Sequence, residues 1–168
     1  MSLLQVSKLS LRIGEDAILR DLSFDVDAGE VVAITGESGS GKSMTALALM
    51  GLAPSDSTVS GTVTLDGTSL LELTDPQMCQ RRGAEIGMVF QEPMTALNPV
   101  HSIGAQVSEV VRIHQPHLSR RAAKDIASQT LARVGLPQNR FPLSRFPHEL
   151  SGGQRQRVVI AMAIPMSP

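Results

Sequence analysis

The chain has 168 residues, 42% hydrophobic and 18% charged, which is the composition of one folded globular domain and excludes a disordered polar segment. A net charge of −1 with dispersed Lys and Arg leaves no electrostatic footprint for nucleic acid. Four Phe, with no Tyr or Trp, leave little on which bases could stack. Cys79 is the single cysteine, so no internal disulfide forms, which suits a reducing compartment.

The opening MSLLQVSKLSLRIG is expected to be a strand and not a signal peptide. Val6, Leu9, Leu11 and Ile13 mostly alternate with polar residues, and no small-residue cleavage site follows a charged start. No apolar run reaches the roughly 18 residues that a membrane-spanning helix needs. Residues 3–13 and 18–27 read as two strands, with Gly14-Glu15-Asp16 as the turn between them. EVVAITG, Glu30 to Gly36, is a short β-branched apolar run, predicting a strand buried on both faces as in a parallel sheet. KSMTALALMGL is helical in composition and stops around Gly51 and Pro54. SGTVTLDG predicts a third alternating strand that ends in an Asp-Gly turn. AEIGMVF, Ala84 to Phe90, is a second buried-strand candidate, broken by the following QEP.

From Ala105 to Val134 the composition is helical, with Ser119 as an N-cap and Gly135 as the residue after a helix end. Proline punctuates 137–147, and a last helix is expected within SGGQRQRVVIAMAI, ended early by Pro165. No internal repeat or low-complexity tract occurs.

GESGSGKS, Gly36 to Ser43, fits the phosphate-cradle pattern G-x-x-x-x-G-K-[ST]. A loop that wraps a triphosphate must turn successive backbone N–H groups inward, and Gly36, Gly39 and Gly41 permit the backbone angles required. Glu37, Ser38 and Ser40 complete the loop, Lys42 offers a point charge for the β- and γ-phosphates, and the Ser43 hydroxyl suits Mg²⁺. A helix opening near Gly41 adds the positive end of its dipole.

LSGGQ, Leu150 to Gln154, narrows the reading. Taken with GESGSGKS, VFQEPMTALNP and FPHELSGGQRQRVVIAMA, it makes the chain resemble, over essentially its whole length, the ATP-binding subunits of ABC transporters. The Q-loop wording resembles the oligopeptide, dipeptide and nickel importer branch. That resemblance implies an α/β fold: a P-loop NTPase core with an antiparallel β subdomain and a helical signature subdomain. It implies ATP and Mg²⁺ as cofactors. Residues 1–90 would be β subdomain and P-loop core, 91–104 the Q-loop and coupling segment, 105–150 the helical subdomain and 151–168 the signature helix.

By the same resemblance, Gly36–Ser43 would hold one nucleotide. Leu150, Ser151, Gly152, Gly153 and Gln154 would face the nucleotide of a second, homologous or identical subunit. Gln91 would contact Mg²⁺ and the attacking water, and the segment from Glu92 to about Gly104 would meet transmembrane permease subunits. A periplasmic or extracellular solute-binding protein would be an indirect partner. The location implied is peripheral, on the cytoplasmic side of the inner membrane, with peptides as the leading substrate class and nickel or glutathione-like solutes as alternatives. The adenine-stacking aromatic of the family would be matched here by Ile13, or by Gly14 with the register one position on; an aliphatic side chain there would pack on the ring without a π contact.

No apolar run ends in Asp-Glu, the pair that in this family helps hold Mg²⁺ and orients water. Gln91 stands before Glu92, and Asp66 of VTLD belongs to a turn. The family's acidic strand follows the signature helix; here the sequence reaches AIPMSP. None of His101, His114, His117 or His148 stands where the family's switch histidine does. HQPH reads as a solvated loop and not as a metal site, and His148 as structural or interfacial and not catalytic. The expectation is therefore that this polypeptide binds ATP without hydrolysing it. The two buried-type strands are also expected to lie without neighbours, leaving the isolated chain marginal in stability. The alternatives are a non-catalytic nucleotide- or permease-binding fragment and a non-transport ABC ATPase. The short interval between Gln91 and Leu150 leaves no room for the coiled-coil insert of the chromosome-maintenance class.

Overall fold

In the computed structural model, which describes residues 2–90 and 96–164, the chain divides into two compact units, Met1–Cys79 and Gln80–Pro168.

The first unit is built on strand β1 (Ser2–Ile13), which returns through the two-residue turn Gly14–Glu15 into β2 (Asp16–Asp27). Helix α1 (Lys42–Leu49) follows, then β3 (Ser57–Leu65) and β4 (Thr68–Ser69). The four strands form one antiparallel sheet in the order β2-β1-β3-β4. Between β3 and β4 the predicted Asp-Gly turn is present: Asp66 and Gly67 have φ of 45° and 76°, the pair of positive angles that a tight hairpin matches to strand twist. Helix α1 ends as its composition predicts. The Gly51 N–H donates to Ala48 O and the Leu52 N–H to Leu47 O, which satisfies two end carbonyls.

A bulge decides which residues of β1 enter the core. Val6, Leu9 and Leu11 are all buried although the first two stand three positions apart, a spacing that strict alternation sends to opposite faces. The register shifts between Val6 and Leu9, where Lys8 takes φ 50°. The Ser23 hydroxyl accepts from the Lys8 N–H at 2.8 Å, replacing a ladder bond that the bulge removes. On the other side, Gly61 of β3 has φ 105°, and a Cβ there would lie 2.5 Å from the Lys8 carbonyl oxygen. The bulge and the glycine therefore require each other.

The second unit is helical. Helix α3 (Ile103–His114) is capped by Ser102, whose hydroxyl accepts from the Ala105 N–H, and α4 (Arg120–Arg133) by Ser119 in the same way with Ala122. Gly135 and Leu136 close α4 on Ala132 O and Leu131 O, as the position of the glycine predicts. A turn of 3-10 helix (Pro147–Glu149) leads into α5 (Gly152–Ala163). Ile103, Val107, Leu131, Leu136, Phe141, Leu150 and Val158 form its core. The α5 end at Ala163 agrees with the expected early stop, although Pro165 lies outside the described residues.

Two expectations need correction, and one element is new. Glu30–Gly36 is not a strand: it pairs with nothing in the sheet, Val31 is 94% exposed, and Val32 and Ile34 are also exposed. Ala84–Phe90 is not one either, apart from an isolated bridge between Arg82 and Ile86, and Phe90 is 53% exposed. A strand of the buried type persists only when neighbours pair both its edges, and among the described residues none does so. A short helix α2 (Asp75–Arg81), where the two units meet in sequence, was not foreseen. Its signal was legible in Thr74-Asp75-Pro76-Gln77: the Gln77 side chain accepts from the Thr74 N–H at 2.8 Å, in the manner of a capping box.

Replacing Gly61 with Ala is expected to lower stability by about 2 kcal/mol, from the forced positive φ and the clash with Lys8. A urea midpoint unchanged by the substitution would show that the bulge tolerates a Cβ.

Candidate functional site

The loop Gly36–Ser43 is ordered from its C-terminal end. Gly41 opens α1 in the left-handed region, φ 88°, ψ 3°. A Cβ on Gly41 would lie 2.7 Å from Leu19 Cδ2 and 3.1 Å from the Ile18 carbonyl oxygen, so only a bare Cα lets the loop seat against β2. Thr45, one turn on, is buried, and its hydroxyl donates to Gly41 O at 3.0 Å. Because Ile18 follows Ala17, which pairs with Arg12, this contact sets the loop beside the β1–β2 turn where half-buried Ile13 ends its strand.

Lys42 closes the loop. Its ammonium donates to Gly36 O at 2.8 Å, to Glu37 O at 2.6 Å and to Ser40 Oγ at 3.3 Å, while the Ser40 N–H donates to Glu37 O. One cation thus gathers both ends of the glycine-rich turn. Ser38 and Gly39 lie at its exposed tip, and the exposed Ser43 hydroxyl makes no hydrogen bond among the described residues.

The helix starts differ in one respect that bears on chemistry. Helices α3, α4 and α5 each begin behind a serine whose hydroxyl accepts a first-turn N–H. Helix α1 begins behind glycine with no side-chain cap, so its leading N–H groups stay available to another acceptor.

In the second unit, the signature pentapeptide turns from core to surface within two residues. Leu150 is buried in the helical core, whereas Ser151, Gly152 and Gly153 are exposed, with open space over both glycines. Ser151 and Gln154 form a reciprocal capping box: the Ser151 N–H donates to Gln154 Oε1 at 2.9 Å and the Gln154 N–H to Ser151 Oγ at 3.4 Å. As an acceptor in the cap, the serine keeps its own hydroxyl proton free to donate. Arg155 Nε donates to Leu150 O at 3.1 Å, and His148 stacks on Phe146, which agrees with a structural histidine.

Two residues that hold this region were not singled out from the sequence. The Ile103 and Gly104 N–H groups, unsatisfied within α3, donate to Arg145 O and Leu143 O at 2.8 and 2.9 Å and pin the strand of chain that leads to the signature. Gly104 is needed there, since a Cβ would meet Leu143 Cβ at 2.4 Å. Gln106 is buried and holds the segment before α3: Nε2 donates to Asn98 O and His101 O, and Oε1 accepts from the Asn98 N–H. A glutamine between apolar helix positions gives a sequence reader no cue to that role. Gln91 and Glu92 lie outside the described residues. No cluster of metal-ligating side chains occurs among the described residues, and His114 packs instead against Gly83.

Truncating Ser151 to Ala is expected to cost about 1 kcal/mol of α5 stability, seen as faster amide exchange in its first two turns. Equal exchange rates would show that the cap carries no stability.

A profile of the family described as ABC transporter matches residues 19–168. The oligopeptide transport ATP-binding protein OppD of Mycobacterium tuberculosis is 48% identical over 99% of this chain and 28% of its own length. OppD of Bacillus subtilis is 44% identical over 99% of this chain and 48% of its own length. The glutathione import ATP-binding protein GsiA of Escherichia coli O157:H7 is 45% identical over 99% of this chain and 28% of its own length. Among solved structures, the dimeric ATP-binding cassette MJ0796, in a post-hydrolysis state bound to ADP and Pi, superposes with a TM-score of 0.77 at 28% identity. That alignment covers 96% of this chain and 68% of the cassette. The chain therefore spans less than half the length of these curated relatives.

Proposed function

The chain belongs to the ABC transporter family, and from that premise we propose that it carries part of the ATP-binding subunit of an importer for peptides or similar small solutes. The observation that carries this reading is the contrast in helix starts: three are closed by serine, while α1 opens behind Gly41 with its N–H groups uncapped and Lys42 beside them.

These residues suit a Mg·ATP polyphosphate. Backbone N–H groups of the loop and of the first turn of α1 would face phosphate oxygens, and Lys42 would supply the positive charge. Of its three bonds, the 3.3 Å contact to Ser40 is the weakest, so a phosphate oxygen would replace it at least cost while the two carbonyl bonds keep the loop closed. The Ser43 hydroxyl is placed to ligate Mg²⁺, with Gln91 as a second contact. Bound Mg²⁺ would neutralise part of the phosphate charge. Ile13, at the strand end beside the loop, would pack on the adenine by dispersion.

The signature segment would serve a second, homologous or identical subunit. Ser151 keeps a free hydroxyl donor, Gly152 and Gly153 are bare and exposed, and α5 directs its positive end outward behind them. Residues 91–104 would engage transmembrane permease subunits, with Gln106 holding Asn98 to His101 in place from behind. A solute-binding protein would be an indirect partner. No helix among the described residues is long and apolar enough to cross a membrane; attachment would be through those subunits, at the cytoplasmic face. The domain division proposed is core to residue 90, coupling segment to 104, helical subdomain to 150 and signature helix beyond.

No apolar run ending in Asp-Glu is present in the 168 residues, so this polypeptide would bind ATP without turning it over. Titration with a fluorescent ATP analogue and Mg²⁺ tests the reading. Saturable binding is expected, weakened at least about tenfold by Lys42→Ala. Binding indifferent to Lys42→Ala would sink the assignment of the loop, and phosphate release that vanishes on the same substitution would sink the claim of no turnover. Replacing Gly41 with Val should weaken nucleotide binding by a similar factor, because the loop can no longer seat against Ile18 and Leu19.

A further inference from the structure

Within the second unit, α3, α4 and His101 before α3 line an open cleft of about 440 Å³, to which neither the glycine-rich loop nor the signature segment contributes a lining residue. One wall is a single face of α3 and the residue chain before it: His101, Ala105, Ser108, Glu109 and Arg112. The other is Arg120 and Lys124, one turn apart at the start of α4. The lining carries three full positive charges and one carboxylate. None of the three cations makes a hydrogen bond or ion pair with another described residue, Glu109 included.

The floor does not compensate them. Ala105 has no polar side-chain atom, and the buried Ser108 hydroxyl is committed to Gly104 O at 2.5 Å. Local stability does not call for the arrangement either. The first turn of α4 contains no acidic residue, and Arg120, Arg121 and then Lys124 stand where the helix dipole is already positive. All three cations are exposed and unpaired among the described residues, so they are free to meet an anion from solution.

We propose that this cleft binds a small soluble phosphate monoester. Three cations less one carboxylate leave an excess of two positive charges, which a monoester dianion neutralises. Arg112 and Arg120 offer planar forks suited to phosphate oxygens, Lys124 adds a point charge, and Ala105 with the side-chain stems gives the carbon portion of the ester an apolar bed. The volume matches a small metabolite.

The test uses the full chain carrying Lys42→Ala, so that the glycine-rich loop does not contribute, titrated with glycerol 3-phosphate at low ionic strength and followed by backbone amide shifts. Saturable shifts are expected at Ala105, Ser108, Arg120 and Lys124. Arg120→Gln should weaken binding about tenfold, and adding Lys124→Gln should weaken it further. Both side chains are exposed, so the folded spectrum should persist in each variant. Four outcomes overturn the proposal: no saturable response, equal affinity in the variants, tighter binding of succinate or of a hexaglutamate peptide, or a response only to vesicles containing phosphatidic acid. Because the loop lysine is already absent, failure here leaves the nucleotide reading intact, and failure of that reading leaves this one intact.

Discussion

Every backbone N–H and C=O removed from water must find a partner, and that single requirement decides which parts of this chain become sheet. β1, β2, β3 and β4 satisfy one another because short turns or a returning connection bring each beside its neighbour in antiparallel register. Glu30–Gly36 and Ala84–Phe90 have the composition of strands but, among the described residues, no strand beside them, and Val31, Val32, Val89 and Phe90 are exposed. The phosphate-type loop is accordingly anchored from one side. Its grip comes from Gly41 against β2, from Thr45 beneath it and from Lys42 across it, and the apolar run before it adds no paired support.

The same requirement organises the helical unit through its helix starts. Four leading N–H groups of every helix lack partners within it, and in the helical unit they are met in two ways. Serines cap α3, α4 and α5. The carbonyls of Leu143 and Arg145 take the Ile103 and Gly104 N–H groups, which ties the approach to the signature segment onto the first turn of α3. Helix α1 alone among these starts with glycine and no cap. Stability and function separate at this point: where folding needs the donors satisfied, a hydroxyl or carbonyl is supplied, and where a ligand would need them, the chain supplies nothing.

Polar residues in the interior serve placement more than stability. Gln106 spends a buried amide on three bonds to Asn98 and His101, and so fixes the segment that enters α3. Arg112, Arg120 and Lys124 do the opposite at the surface, gathering three exposed cations around one cleft that Glu109 supplies with a single carboxylate. Both patterns cost free energy locally, by burial in one case and repulsion in the other, and each is understandable only if the placement itself is used.

Local chemistry was legible from residues alone. The glycine-rich loop, the serine cap at 119, the glycine closing α4 and the Asp66-Gly67 turn follow from residue types at fixed spacing, because each depends on bonds reaching only a few positions along the chain. What depends on distant neighbours was not legible. The sequence could not say that Val6 and Leu9 share a face, since that rests on a bulge held by Ser23 and Gly61 from two other strands. Nor could it say that two strand-like runs stay unpaired, or that Gln106 reaches back to Asn98. Composition sets how willing a segment is to extend, coil or turn; only the tertiary structure decides whether a partner stands where its backbone and side chains need one.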